Sequence, residues 1–255
     1  MNEKTKQMLT LVATFVGITA PFLVDLLIPN RVSTGEISGR FFAEVLIIPA
    51  DYVFAIWAPI YVGLLAFAVY QALPTQRDNP RFAKTRLWLT ASALLNAGWI
   101  VAFNSLQFNL SVVLIVGMLA TALRMHRTLE IGETKVSRLE RYLRIPFSLY
   151  AGWLTVATIV NLAGALEVAG WNALGLSYSI WDVVMLLIAT AIGLLTRLRW
   201  HDPIYGVVFV WAFVGIIVAR VSVVPVAVTA GILALVFLAS LLRPLANPLT
   251  RTVQS

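Results

Sequence analysis

The chain has 255 residues, 60% of them apolar and 12% charged, with a mean hydropathy of +0.86. A soluble domain carries about 25% charge, so this composition excludes one and describes a polytopic membrane protein. The net charge of +7 does not point to nucleic acid, because the basic residues fall in short clusters between apolar runs, as cytoplasmic loops do. There is no cysteine, which excludes a disulfide framework, a thiolate nucleophile and a Cys-ligated metal.

The hydropathy pattern predicts an all-α fold with eight membrane spans. The first runs from about Met8 to Ile28, after Lys4 and Lys6. It is too long for a signal-peptide core and further spans follow, so it reads as a retained helix. Asp25 near its end is an interfacial or a pocket group. Pro29 to Ala50 is a long connection rich in Gly, Arg and Glu. A loop of that length is expected to do something, such as cover a site. The second span, Pro49 to Gln71, holds Trp57 and Tyr61 four residues apart, hence on one helix face. Pro59 between them predicts a kink. This face is either a pocket wall or an interfacial aromatic belt.

A basic loop with Arg77, Arg81, Lys84 and Arg86 precedes the third span, about Leu87 to Phe103. The short link NSLQFN joins it to the fourth, about Leu110 to Met125, so the two are antiparallel neighbours. Both are short for spans. The next loop carries Arg124, Arg127, Lys135, Arg138, Arg141 and Arg144. The fifth span is about Ile145 to Leu166, with Pro146 in its first turn. The sixth, about Leu174 to Leu198, carries Trp181 and Asp182. From Pro203 to Leu242 the chain is apolar apart from Arg220. One helix of that length would measure about 60 Å, twice the hydrocarbon thickness, so it folds back near Arg220 and Pro225 into spans seven and eight. With the N-terminus inside, only Arg31, Arg40 and Arg220 of the 19 basic residues lie outside. That bias predicts cytoplasmic N- and C-termini.

Little in the chain suits catalysis, and no catalytic or metal-binding residue is assigned. His126 and His201 fall at helix ends with no partner at metal spacing. Asp182 is the sharpest isolated ionisable group in a span. The intramembrane amides are more informative. Asn96 and Trp99 are three apart, and Trp153, Ala157 and Asn161 are spaced four and four, each set on one face. Such amides need a partner helix or a ligand. Asn161 reads as helix-to-helix glue, whereas Asn96 suits either role.

These residues resemble the translocator-protein family, which includes the tryptophan-rich sensory proteins and the peripheral benzodiazepine receptor. Leu95, Asn96 and Trp99 match its LN-x-x-W. Trp153, Ala157, Thr158 and Asn161 match its W-x-x-x-A-T-x-x-N. Pro49, Trp57 and Tyr61 match the proline and W-x-x-x-Y of its second helix. The resemblance implies a five-helix membrane core over residues 1–170, here followed by a three-helix extension over 171–255. It also implies a pocket under the first loop, lined by Trp57, Tyr61, Asn96, Trp99, Trp153 and Ala157. The expected ligand is a porphyrin, haem or other tetrapyrrole, and no further cofactor is implied. The expected partners are the lipid bilayer and, as in the family, a second copy, unless the extension covers the dimer face. The spacing from Phe54 to Trp57 is one residue shorter than the family's, and the animal sterol motif after the fifth helix is replaced by ALEVAG. The reading is a ligand-binding sensor or regulator. The alternatives are a secondary transporter of a small amphipathic solute and light-dependent tetrapyrrole breakdown. If the extension is only a lateral addition, Asp182 takes no part in binding.

Overall fold

The helix boundaries follow caps that hydropathy alone does not reveal. The computed structural model describes residues 1–27, 34–132 and 136–242. Pro29, Arg31, Lys135 and the side chain of Asp25 lie outside what is described. Helix α1 spans Glu3–Leu27, and a short helix α2 spans Thr34–Phe41. A 3-10 turn, Asp51–Ile56, leads directly into α3, Trp57–Ala72. Pro59 therefore lies in the first turn of α3. Proline is tolerated in that turn, and the Trp57 amide just before it bonds back to the Phe54 carbonyl of the 3-10 turn.

Helix α4 is Pro80–Asn104 and α5 is Phe108–Thr128. At 25 and 21 residues they correct the expectation of short spans. The reason for the early start of α4 is Asn79, whose side chain accepts hydrogen bonds from the Arg81 and Phe82 amides, with Pro80 at the first helical position. Arg81, Lys84 and Arg86 are thus helical rather than loop residues. Helix α6 runs from Arg138 to Val168. Ser137 caps it by accepting from the Glu140 amide, the S-x-x-E arrangement that marks a helix start. Pro146 is consequently inside α6 and buried, not in its first turn.

The chain ends in α7, Tyr178–Trp200, α8, Pro203–Ala219, and α9, Val224–Leu242. The α8–α9 bend falls at Arg220 and the residues after it, as the sequence predicts. The α7–α8 joint is tight. His201 takes a left-handed conformation, and Asp202 caps α8 by accepting from the Ile204 and Tyr205 amides. The other carboxylate oxygen of Asp202 lies 2.8 Å from His126 Nε2, and the His126 ring stacks on Trp200 at 3.9 Å. His126 is therefore a buried, paired group joining α5 to the α7–α8 corner, which corrects its reading as a loop residue without a partner.

Among the described residues there are eight long helices and the short α2. Six segments, those containing α3 to α7 and α9, are long and apolar enough to cross a membrane, and α8 is a shorter apolar helix of 17 residues. The protein is a polytopic helical bundle. Helices α1, α3, α4, α5 and α6 form one group, and α7, α8 and α9 pack against one another and onto α6. Helix α6 is central: 61% of its span is buried, against 33% for α3, α7 and α9.

The end of the bundle that carries most of the arginines is held by buried polar bonds. Arg86 is 1% exposed. Its guanidinium donates to Glu3 Oε2 at 2.7 Å, to Gln71 Oε1 at 2.9 Å and to the carbonyls of Gln76 and Arg77. Gln7 and Gln71 exchange bonds with each other's backbone, closing a seam between α1, α3 and α4. Replacing Arg86 by Met should remove these bonds and strand the buried Gln71 oxygen and the carbonyls. The expected loss is about 2 kcal/mol, below the value for a fully buried pair because Glu3 is partly exposed. A lower thermal midpoint in detergent, with the helical signal of the folded state unchanged, checks this.

Candidate functional site

At the opposite end the helices surround a partly open cavity of about 750 Å³. Its wall begins at the 3-10 turn and α3. The 3-10 geometry turns Phe54 inward, and both Phe54 and Trp57 meet the Trp153 ring edge-on, at 5.7 and 6.2 Å. Trp57 stacks on Tyr61 at 4.9 Å. On α6, Trp153, Ala157 and Asn161 recur every four residues and so face the cavity together. Trp99 and Phe103 of α4 complete the wall.

Five of the six residues named from the sequence, Trp57, Tyr61, Trp99, Trp153 and Ala157, line this cavity. Asn96 does not. Its amide donates to the Gly17 carbonyl of α1 at 2.9 Å and lies 3.3 Å from the Tyr61 hydroxyl. It ties α1, α3 and α4 together and stands behind Tyr61. Asn161 is the reverse case. It lines the cavity, and its side-chain oxygen accepts the Trp99 indole N–H at 2.9 Å while its amide donates to Ser111. That bond fixes the plane of the Trp99 ring against the cavity.

The cavity is roofed by α2 and the segment that follows it. Phe42 is 2% exposed, and its ring meets Phe103 and Phe108. It fits because α6 has a glycine opposite: a Cβ on Gly164 would lie 2.5 Å from the Phe42 ring. Ile48, Pro49 and Asp51 continue the roof, and Glu36 of α2 adds a second acid to the lining. This roof covers the cavity as the long first loop is expected to do. Sequence reasoning missed Phe54, Phe103 and Asn161 as lining residues. A period-3.6 face containing Trp99 and Phe103 signals the second of these.

One polar group in the cavity wall is unspent. The Trp153 indole N–H is buried without a hydrogen-bond partner. The atom has almost no accessible surface, so it lies behind the cavity wall and the indole presents its ring to the cavity. Among the described residues no group of His, Asp and Glu side chains could hold a metal ion.

The bonds within the wall make different demands. Asn161→Ala should lower stability by about 1–3 kcal/mol, because it strands the buried Trp99 N–H. Tyr61→Phe should cost less than about 1 kcal/mol, because its hydroxyl sits at a long 3.4 Å from Asn96 Oδ1. Thermal unfolding of the two variants side by side checks the order.

A family model described as TSPO-like protein matches residues 7–243. The matched span runs through α7, α8 and α9, so it marks no boundary at residue 170. Searches of curated proteins and of solved structures gave no significant match. With most of its length in the match and a bundle of apolar helices around an aromatic cavity, the chain belongs to the TSPO-like protein family, in keeping with its resemblance to the translocator proteins.

Proposed function

We propose that the protein is a membrane sensor or regulator that binds a flat, mostly apolar molecule of the tetrapyrrole class in this cavity. The observation that carries the reading is the aromatic cage of Phe54, Trp57, Tyr61, Trp99 and Trp153 around a volume of about 750 Å³. Pockets of roughly 300–1,000 Å³ with apolar walls and a few placed polar groups suit ligands of this size. Indole edges and faces suit a planar π-system. Ala157 is the small residue on the α6 face, which lets a plate lie close to that helix.

Titration with protoporphyrin or haem should give a saturable absorbance shift and quench the tryptophan emission. Ala157→Phe should fill the cavity and abolish both signals while the variant keeps its helical spectrum. Unchanged porphyrin binding by Ala157→Phe would remove this cavity from consideration. Because the described lining holds the Asp51 carboxylate and no Lys or Arg to pair with a ligand acid, a porphyrin diester should bind at least as tightly as the free diacid. A diacid that binds more tightly than its ester would argue against this orientation of charge.

The orientation we propose puts both termini in the cytoplasm, since the basic residues gather at the end away from the cavity. Reporter fusions after Gln107 and Gly170 should then read as external, and a cytoplasmic signal from either would reverse the assignment.

A further inference from the structure

We infer that α7 and α8, with the last turn of α6, form a clamp that holds the segment Phe42 to Val53 across one side of the partly open cavity, and that ligand access widens when this strap parts from them. The inference rests on the proposed reading of the cavity as a ligand site. It turns on the peptide groups of the strap, most of which precede the 3-10 turn and belong to neither a helix nor a sheet.

Those peptide groups are taken up by the helices behind the strap. The Val45–Leu46 peptide is gripped at both ends: the Leu46 N–H donates to Asp182 Oδ2 at 2.7 Å, and the Val45 carbonyl accepts from Arg220 Nη2 at 3.3 Å. Arg220 Nε also donates to the Leu46 carbonyl at 3.2 Å. Upstream, the Glu44 N–H donates to Glu167 Oε1 at 3.0 Å. Downstream, the Ala50 N–H donates to the Gly215 carbonyl at 3.1 Å, and Trp211 Nε1 donates to the Val53 carbonyl at 3.0 Å. Asp182 comes from the first turns of α7, Trp211 and Gly215 from α8, and Arg220 from the end of α8.

The packing agrees with the bonding. Gly215 has no side chain where Val53 and Pro49 press against α8, and a Cβ there would collide with Val53. Val45, Ile47 and Val53 are buried, Val53 against Gly215 of α8, while Ile48 and Pro49 line the cavity. The strap is thus a two-sided sheet of chain, one side on the clamp and the other on the ligand space. Asp182, the isolated ionisable group that the sequence singles out, is 2% exposed and holds the middle of the strap.

The chain has no native cysteine, so a single introduced thiol can report access to the cavity. Ala157→Cys provides that thiol, and its rate of modification by a small water-soluble thiol reagent is measured on the full-length protein in detergent. Adding Asp182→Ala or Arg220→Met should speed the reaction about tenfold, the factor expected for losing one charged hydrogen bond. Gly215→Ala should do the same by steric displacement, without removing a polar group. Ala122→Cys, buried in α5 away from the strap, should stay equally slow in all backgrounds, which separates strap opening from general loosening. If Asp182→Ala does not fold, Arg220→Met and Gly215→Ala carry the test. An unchanged rate of modification of the Ala157→Cys thiol in the folded clamp variants would overturn the inference. Protection of that thiol by protoporphyrin is read separately: its absence in the parent would count against the tetrapyrrole reading and leave the access rates as the measure of the clamp.

Discussion

A peptide group buried without a partner is expensive, and more so where the surroundings are apolar. Helices meet that constraint internally. The stretch between α2 and the 3-10 turn cannot, because it must lie flat to roof a cavity. Every structural feature at that end follows from supplying its donors and acceptors from outside. A carboxylate on α7, a guanidinium at the end of α8, a carboxylate on α6 and one bared carbonyl of α8 each meet a specific backbone group of the strap. The position of the strap is therefore fixed by directional bonds, and its apolar side chains are sorted to two faces as a consequence.

Helix α6 links this roof to the cavity floor. One face carries Trp153, Ala157 and Asn161 into the cavity. The opposite side receives α8, where Thr155 meets the Tyr205 hydroxyl at 3.0 Å and Gly152 allows the Tyr205 backbone to come close. Its last turn supplies Glu167 to the strap. A single rigid element thus sets the distance between floor and roof, which is what a cavity of defined size requires.

Much of the cavity is legible from spacing alone. Residues every four along a helix share a face whatever the tertiary structure, so the Trp153 face of α6 and the Trp57–Tyr61 pair can be read directly. So can the role of Asn161 as glue, since it joins α6 to Trp99 of α4 and Ser111 of α5, but the role of Asn96 cannot. Asn96 and Trp99 are three residues apart, about 60° around the helix, and a small rotation decides which of them meets the cavity. Here the rotation gives Trp99 to the cavity and Asn96 to the seam with α1 and α3. Hydropathy misplaces the helix starts because charged first turns look like loop to it. Asn79 with Pro80, and Ser137 with Glu140, are the local signals that outweigh it. The burial of Arg86 and His126 has no local signal at all, since their partners Glu3 and Asp202 are distant in the chain.

The same reasoning bears on why α7, α8 and α9 belong to the site. The bonds from Asp182 and Arg220 join residues 136 and 174 positions apart in sequence. Each satisfies a backbone group that the core helices α1 to α5 leave without a partner. A bundle of α1 to α6 alone would expose the Leu46 and Ala50 amides and the Val45, Leu46 and Val53 carbonyls on its flank, with Val45 and Val53 uncovered beside them. Among the described side-chain bonds to the strap, only that from the Glu44 amide to Glu167 would remain. A roof of this length and the three C-terminal helices are thus two parts of one solution: the roof needs polar partners beyond the core, and α7 and α8, braced by α9, supply them. The family match, which runs through these helices without a break, is consistent with their being integral to the fold.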